Sequence, residues 1–124
     1  MLSEPKLTPS ILGKIPDVLK DVLADTISDS SKSSGRSILI SSNSLCNRFI
    51  HTRWGIRPSQ RRRHRNLFSG VRKACRDYFT HLLEQGSVTN EKGKVSFDFV
   101  VYKFDEIRGN LILGFKSRDE NPFL

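Results

Sequence analysis

Between Ser30 and Arg76 the chain carries ten arginines and two lysines and not one carboxylate. The densest stretch is Arg61-Arg62-Arg63-His64-Arg65. Arg72, Lys73 and Arg76 follow it, and Arg48, Arg53 and Arg57 precede it. The chemistry open to such a set is recognition of anions. A guanidinium stays charged throughout the physiological range and offers a planar fork that grips a phosphate or a guanine edge through two hydrogen bonds. Neutralising a polyphosphate takes several cations at once, and lysine would supply charge without the fork. The ten-to-two bias therefore points to phosphate recognition, with RNA preferred over DNA because of its irregular shape. The residues expected to contact it are Arg48, Arg53, Arg57, Arg61, Arg62, Arg63, Arg65, Arg72, Lys73 and Arg76.

Distribution says more than the sum. The whole chain is +8, but the central block is +12, and the remaining nine basic and thirteen acidic residues leave the flanks at −4. Soluble surfaces ordinarily intersperse both signs, so an acid-free block of this length is a local field.

Other chemistries find little support. Cys46, His51, Cys75 and His81 read as C-x4-H-x23-C-x5-H, four ligand types suited to tetrahedral zinc at a spacing that is not a standard one. On an ideal helix His81 points about 120° away from Cys75, so the expectation is core thiols and surface histidines, with no metal and no cofactor. Nucleophile motifs, glycine-rich phosphate loops and paired carboxylates are absent from the sequence, which argues against an enzyme. Two cysteines without a leader segment make a weak disulfide framework, so reduced thiols are expected. No apolar run approaches the roughly 20 residues that a bilayer demands, and no membrane partner is expected. Nucleus and cytoplasm are the expected compartments, with Arg61–Arg65 as an import signal read by an import receptor.

The elements that must position these side chains are partly legible. Ile11, Leu12, Ile15, Val18, Leu19, Val22, Leu23 and Ile27 recur at helical spacing, and Pro16 suits a first turn, which predicts a helix over 16–28. It would pack into a core, form a homodimer or dock a partner. Residues 29–37, rich in serine, read as a flexible linker whose phosphorylation would oppose the basic block. Ile38, Leu39 and Ile40 suggest a short strand. The following RFIHTRWGIR alternates so that Ile50, Thr52, Trp54 and Ile56 share one face of an extended ribbon, with Trp54 a partly buried anchor rather than a base-stacking platform.

A second helix is the clearest element. Leu67, Val71, Ala74, Cys75, Tyr78 and Leu82 repeat at helical spacing, Ser59 caps the start after Pro58, and Gly86 ends it. On one continuous helix Arg61, Arg65, Arg72 and Arg76 fall within about 60° of one another, a cationic ridge about 20 Å long. The alternation of Val95, Phe97, Phe99 and Val101, then DEIRGN, then LILGF predicts a β-hairpin whose apolar face covers that helix.

The fold class is therefore α+β, a small single domain of two amphipathic helices and a C-terminal β-hairpin with a serine-rich linker. Its segments are 1–28, 29–37, a basic domain at 38–118 and a tail at 119–124. In composition, though in no specific motif, this plan resembles small accessory RNA-binding proteins of viruses and some ribonucleoprotein subunits. The reading is a non-catalytic nucleic-acid-binding protein. The alternative is an interaction or scaffold protein, or a ribonucleoprotein subunit, whose basic surface binds acidic partners or import receptors.

Overall fold

The computed structural model describes residues 7–34, 38–85, 87–90, 95–105 and 110–117, and within these the backbone alone at 12, 28, 30–34, 87–90, 95–105 and 116–117. The chain begins with helix α1, Pro9–Ser34. Thr8 Oγ1 accepts a hydrogen bond from the Ile11 N–H at 3.2 Å, which caps the helix start, and Pro9 occupies the first helical position, where its missing N–H costs nothing. Pro16 lies inside the helix instead of opening it, so the Leu12 carbonyl lacks its usual donor four residues on. Burial compensates. Ile15, Leu19, Leu23 and Ile27 are each 2% exposed or less, and burying such side chains contributes about 1.5–3 kcal/mol apiece.

One expectation about this segment changes and another is met. The backbone remains helical through Ser34 where 28 was the expected end, so the serine-rich stretch to 34 continues the helix; residues 35–37 lie outside those described. The apolar stripe expected to serve a core, a dimer or a partner closes over the protein's own core.

Strand β1, Ile38–Ser41, is followed at once by helix α2, Ser42–Trp54. The helix corrects the extended ribbon expected at 48–57. Ser41 Oγ accepts from the Ser44 N–H at 3.1 Å as its N-cap. Gly55, at φ 67°, ends it in the left-handed conformation and donates its N–H to the His51 carbonyl at 2.8 Å. Leu45, Cys46, Phe49 and Ile50 are buried, a helical repeat that outweighs the two-residue alternation of Ile50, Thr52, Trp54 and Ile56. Thr52 is in fact exposed and its hydroxyl donates back to the Arg48 carbonyl.

A 3-10 helix, Pro58–His64, then leads into helix α3, Arg65–Gln85. Ser59 is not the cap. The Arg57 N–H donates to Gln60 Oε1 at 3.0 Å, and the Gln60 N–H donates to the Arg57 carbonyl at 2.9 Å. Strands β2 (Ser87–Asn90), β3 (Val95–Asp105) and β4 (Asn110–Ser117) complete the chain. The expected hairpin is present as the antiparallel pair β3–β4, widened by β1 and β2 into a four-stranded sheet of order β1-β4-β3-β2. Between Phe99 and Tyr102 the register slips by one residue against β4, a bulge. The expected covering of α3 by Val95, Phe97 and Phe99 concerns side chains outside those described, as do Gly86, the turn at 106–109 and the tail at 119–124.

The protein is a small α+β domain with one core. Ile40 on β1 and Leu111, Leu113 and Phe115 on β4 meet the buried faces of the three helices. Phe79 of α3 and Phe115 meet edge to face at 6.4 Å. Ser42, fully buried at the start of α2, donates to Asn110 Oδ1 at 2.9 Å and accepts from the Leu111 N–H at 3.1 Å. The Asn43 N–H also donates to Asn110 Oδ1. These bonds tie the first turn of α2 to β4 and so fix the helix layer on the sheet.

Candidate nucleic-acid interface

The ten cations divide among four positions. Arg48 and Arg53 lie on α2, Arg57 precedes the 3-10 helix, Arg61, Arg62 and Arg63 lie on it, and Arg65, Arg72, Lys73 and Arg76 lie on α3. Arg53, Arg57, Arg61, Arg62, Arg63, Arg65 and Lys73 are exposed; Arg72 and Arg76 are half-buried. Among the described residues none of these nine is ion-paired to a carboxylate. Arg48 is the exception: its guanidinium is bonded to Asp29 of α1.

The 3-10 winding redraws the ridge expected from the sequence. Three residues per turn stack Arg61 over His64 and send Arg62 and Arg63 to the other two sides. Arg61 thereby leaves the line of Arg65, Arg72 and Arg76, which remain within about 40° of one another along about 16 Å of α3. The cationic surface is a short ridge preceded by a fan. His64, inside the run of arginines, turns inward: it is 8% exposed, and its Nδ1 is buried with no hydrogen-bond partner among the described residues. A 3-10 run of seven residues is long for that geometry, and periodicity does not reveal it because an arginine-rich stretch has no apolar stripe to betray its winding.

Charge on the rod formed by the 3-10 helix and α3 runs against the helix dipole. Neither piece has an acidic residue in its first turn, Arg57 stands at the N-cap of the 3-10 helix, and α3 has no basic residue in its last turn, where Glu84 stands. Each wrong-signed charge costs about 0.3–1 kcal/mol. An anion bound at the start of the rod relieves that repulsion.

Two buried thiols lie beneath this surface. Cys46 of α2 and Cys75 of α3 are both free and 1% exposed or less. Cys46 Sγ donates to the Phe68 carbonyl at 3.8 Å, and the neighbouring Cys46 thiol, then burial, push Cys75 up. The Cys75 side chain pulls Cys46 down against burial, helped by the positive charge of Arg72 and then Arg61. His51 and His81 are exposed, and the five-residue step from Cys46 to His51 turns a helix about 140°, so the four candidate zinc ligands do not converge. Among the described residues no three histidine, cysteine or carboxylate side chains are placed to hold a metal ion.

Acidic side chains stand on two of the helices, Asp77 one turn after Lys73 on α3. Asp17 and Asp25 of α1 and Asp77 of α3 are exposed. A cavity of about 380 Å³ opens between the two helices, lined by Ile15, Pro16, Ala74, Asp77, Tyr78 and His81. Burial, and after it the negative charge of Asp21, pushes the Tyr78 hydroxyl up to about 12. No helix among the described residues is long and apolar enough to cross a membrane. No protein-family model, curated protein or solved structure matches the chain, so the reading of the interface rests on its own geometry.

Proposed function

We propose that the protein is a non-catalytic nucleic-acid-binding protein, RNA preferred, whose contact surface is the 3-10 helix together with Arg65, Arg72, Lys73 and Arg76 of α3. One observation carries this reading: nine of the ten candidate cations lie on one stretch of chain with no carboxylate partner among the described residues, despite the acids available on α1. Solubility alone would be served by mixed charge, and helix stability by acids at the start of the rod. Arg53 and Arg57 extend the surface from the end of α2.

Replacing Arg61, Arg62, Arg63 and Arg65 together by alanine tests the proposal, because all four are exposed and their loss leaves the core untouched. The expected outcome is loss of RNA binding with an unchanged circular-dichroism spectrum. For wild type, neutralising about six phosphates gives a log affinity falling with log salt at a slope of about −4 to −5. An affinity indifferent to salt refutes the proposal. Loss of a protein complex at unchanged RNA affinity instead supports a scaffold whose basic surface binds acidic partners.

A further inference from the structure

The described aromatic side chains divide by burial. Phe49, Phe68, Phe79 and Phe115 are 2% exposed or less, whereas Trp54 and Tyr78 are only partly buried. Tyr78 borders the cavity with Asp77 and feels the charge of Asp21, a setting that repels phosphate. Trp54 has the opposite setting. Arg53 and Arg57, both exposed and without a carboxylate partner among the described residues, lie on either side of it in the chain. Three residues then separate it from the 3-10 helix, so its Cα lies within about 14 Å of the Cα of Pro58.

The indole is also held in place. Phe49, one turn back on α2, meets it edge to face at 5.7 Å and 78°, Gly55 stops the helix directly after it, and the next residue, Ile56, is buried. A large ring braced by the core yet partly open costs little conformational entropy when a flat ligand lies on it.

We propose that Trp54 is a stacking platform for one unpaired base of a single-stranded nucleic acid, with Arg53 and Arg57 holding the flanking phosphates. This rests on the reading of the arginine surface as a nucleic-acid interface and adds selection of strand state: bases within a duplex are already stacked on both faces, so a duplex offers the ring nothing, while it still satisfies the arginines.

Trp54 is the only tryptophan in the chain, so its emission reports on this position alone. The experiment titrates the full chain with a labelled oligouridine and with a duplex RNA carrying as many phosphates, following probe anisotropy and tryptophan emission together. Emission is expected to fall in step with oligouridine binding and to stay constant with the duplex. Trp54→Leu is expected to weaken oligouridine binding by about 5-fold to about 150-fold and to leave duplex affinity unchanged. Trp54→Phe, which keeps an aromatic ring against Phe49, lies between, and a thermal melt by circular dichroism identifies any variant that fails to fold. Binding of oligouridine without a change in emission, or equal weakening of both probes by Trp54→Leu in a folded variant, overturns the platform and leaves the arginine surface standing. Absence of binding to either probe at low salt overturns both.

Discussion

Asp29 of α1 and Arg48 of α2 form an ion pair that links the first two helices at the edge of the acid-free block. Their side chains are 56% and 37% exposed, so the bond is screened by solvent and contributes at most about 1 kcal/mol to stability. Its larger effect is on function under the proposed reading, because it occupies one of the ten cations that the sequence assigns to phosphate.

Releasing Arg48 should therefore strengthen binding. In Asp29→Asn the salt slope for single-stranded RNA is expected to steepen by about 0.7, with affinity rising at low salt, as one more phosphate becomes available to a cation. In the wild-type background Arg48→Ala should cost less affinity than Arg61→Ala. Equal losses from these two alanine variants in salt-dependent titrations would show that the ion pair does not withhold Arg48.

Reversing charge at the start of the rod should separate stability from binding. Arg57→Glu places a carboxylate at the N-cap, where the helix dipole favours one, and is expected to stabilise the fold by about 0.3–1 kcal/mol while weakening RNA binding. Urea denaturation reads the first effect and filter binding the second. Destabilisation by this substitution would mean that the arginine stem contributes packing that outweighs the dipole.

Alkaline pH should loosen the contact between α1 and α3. The Tyr78 hydroxyl titrates near 12 in the folded protein against an ordinary value of 10.0. A raised folded value keeps its contribution intact below pH 10, and the contribution is lost as pH climbs from there towards 12, since the unfolded chain gives up the proton first. The loss is on the order of 1–2 kcal/mol, because the partly solvated hydroxyl realises only part of the shift. Tyr78→Phe should flatten this part of the stability-versus-pH curve, measured as the difference from wild type so that the buried Cys75, whose thiol is shifted in the same direction, cancels. Parallel curves for the two proteins would show that Tyr78 is as well solvated in the fold as outside it.

Local pattern was informative wherever one physical signal dominated. The apolar repeat of Leu67, Val71, Cys75 and Leu82 specifies α3, and Ile38–Ile40 with LILGF specify two strands, because burying a stripe or an alternating face requires that spacing. It misled where two periods coexist. Ile50, Thr52, Trp54 and Ile56 alternate like a strand, yet Leu45, Cys46, Phe49 and Ile50 form a helical stripe, and α3 and the sheet supply the surface that rewards the helix. Thr8 and Pro9 carried a readable start signal for α1, obscured by Pro16, whose lost hydrogen bond the buried stripe from Ile15 to Ile27 offsets.

The amino-acid sequence by itself determined the charge: an acid-free block of +12 is a matter of composition, and folding can orient it but not remove it. Tertiary structure alone decided how those charges are offered. It wound Arg61–Arg63 into a fan, turned His64 inward, gave Arg48 to Asp29 and set Trp54 at the end of a helix against Phe49. The reason is that exposed cations carry no apolar periodicity, so the backbone beneath them follows the needs of the core on either side.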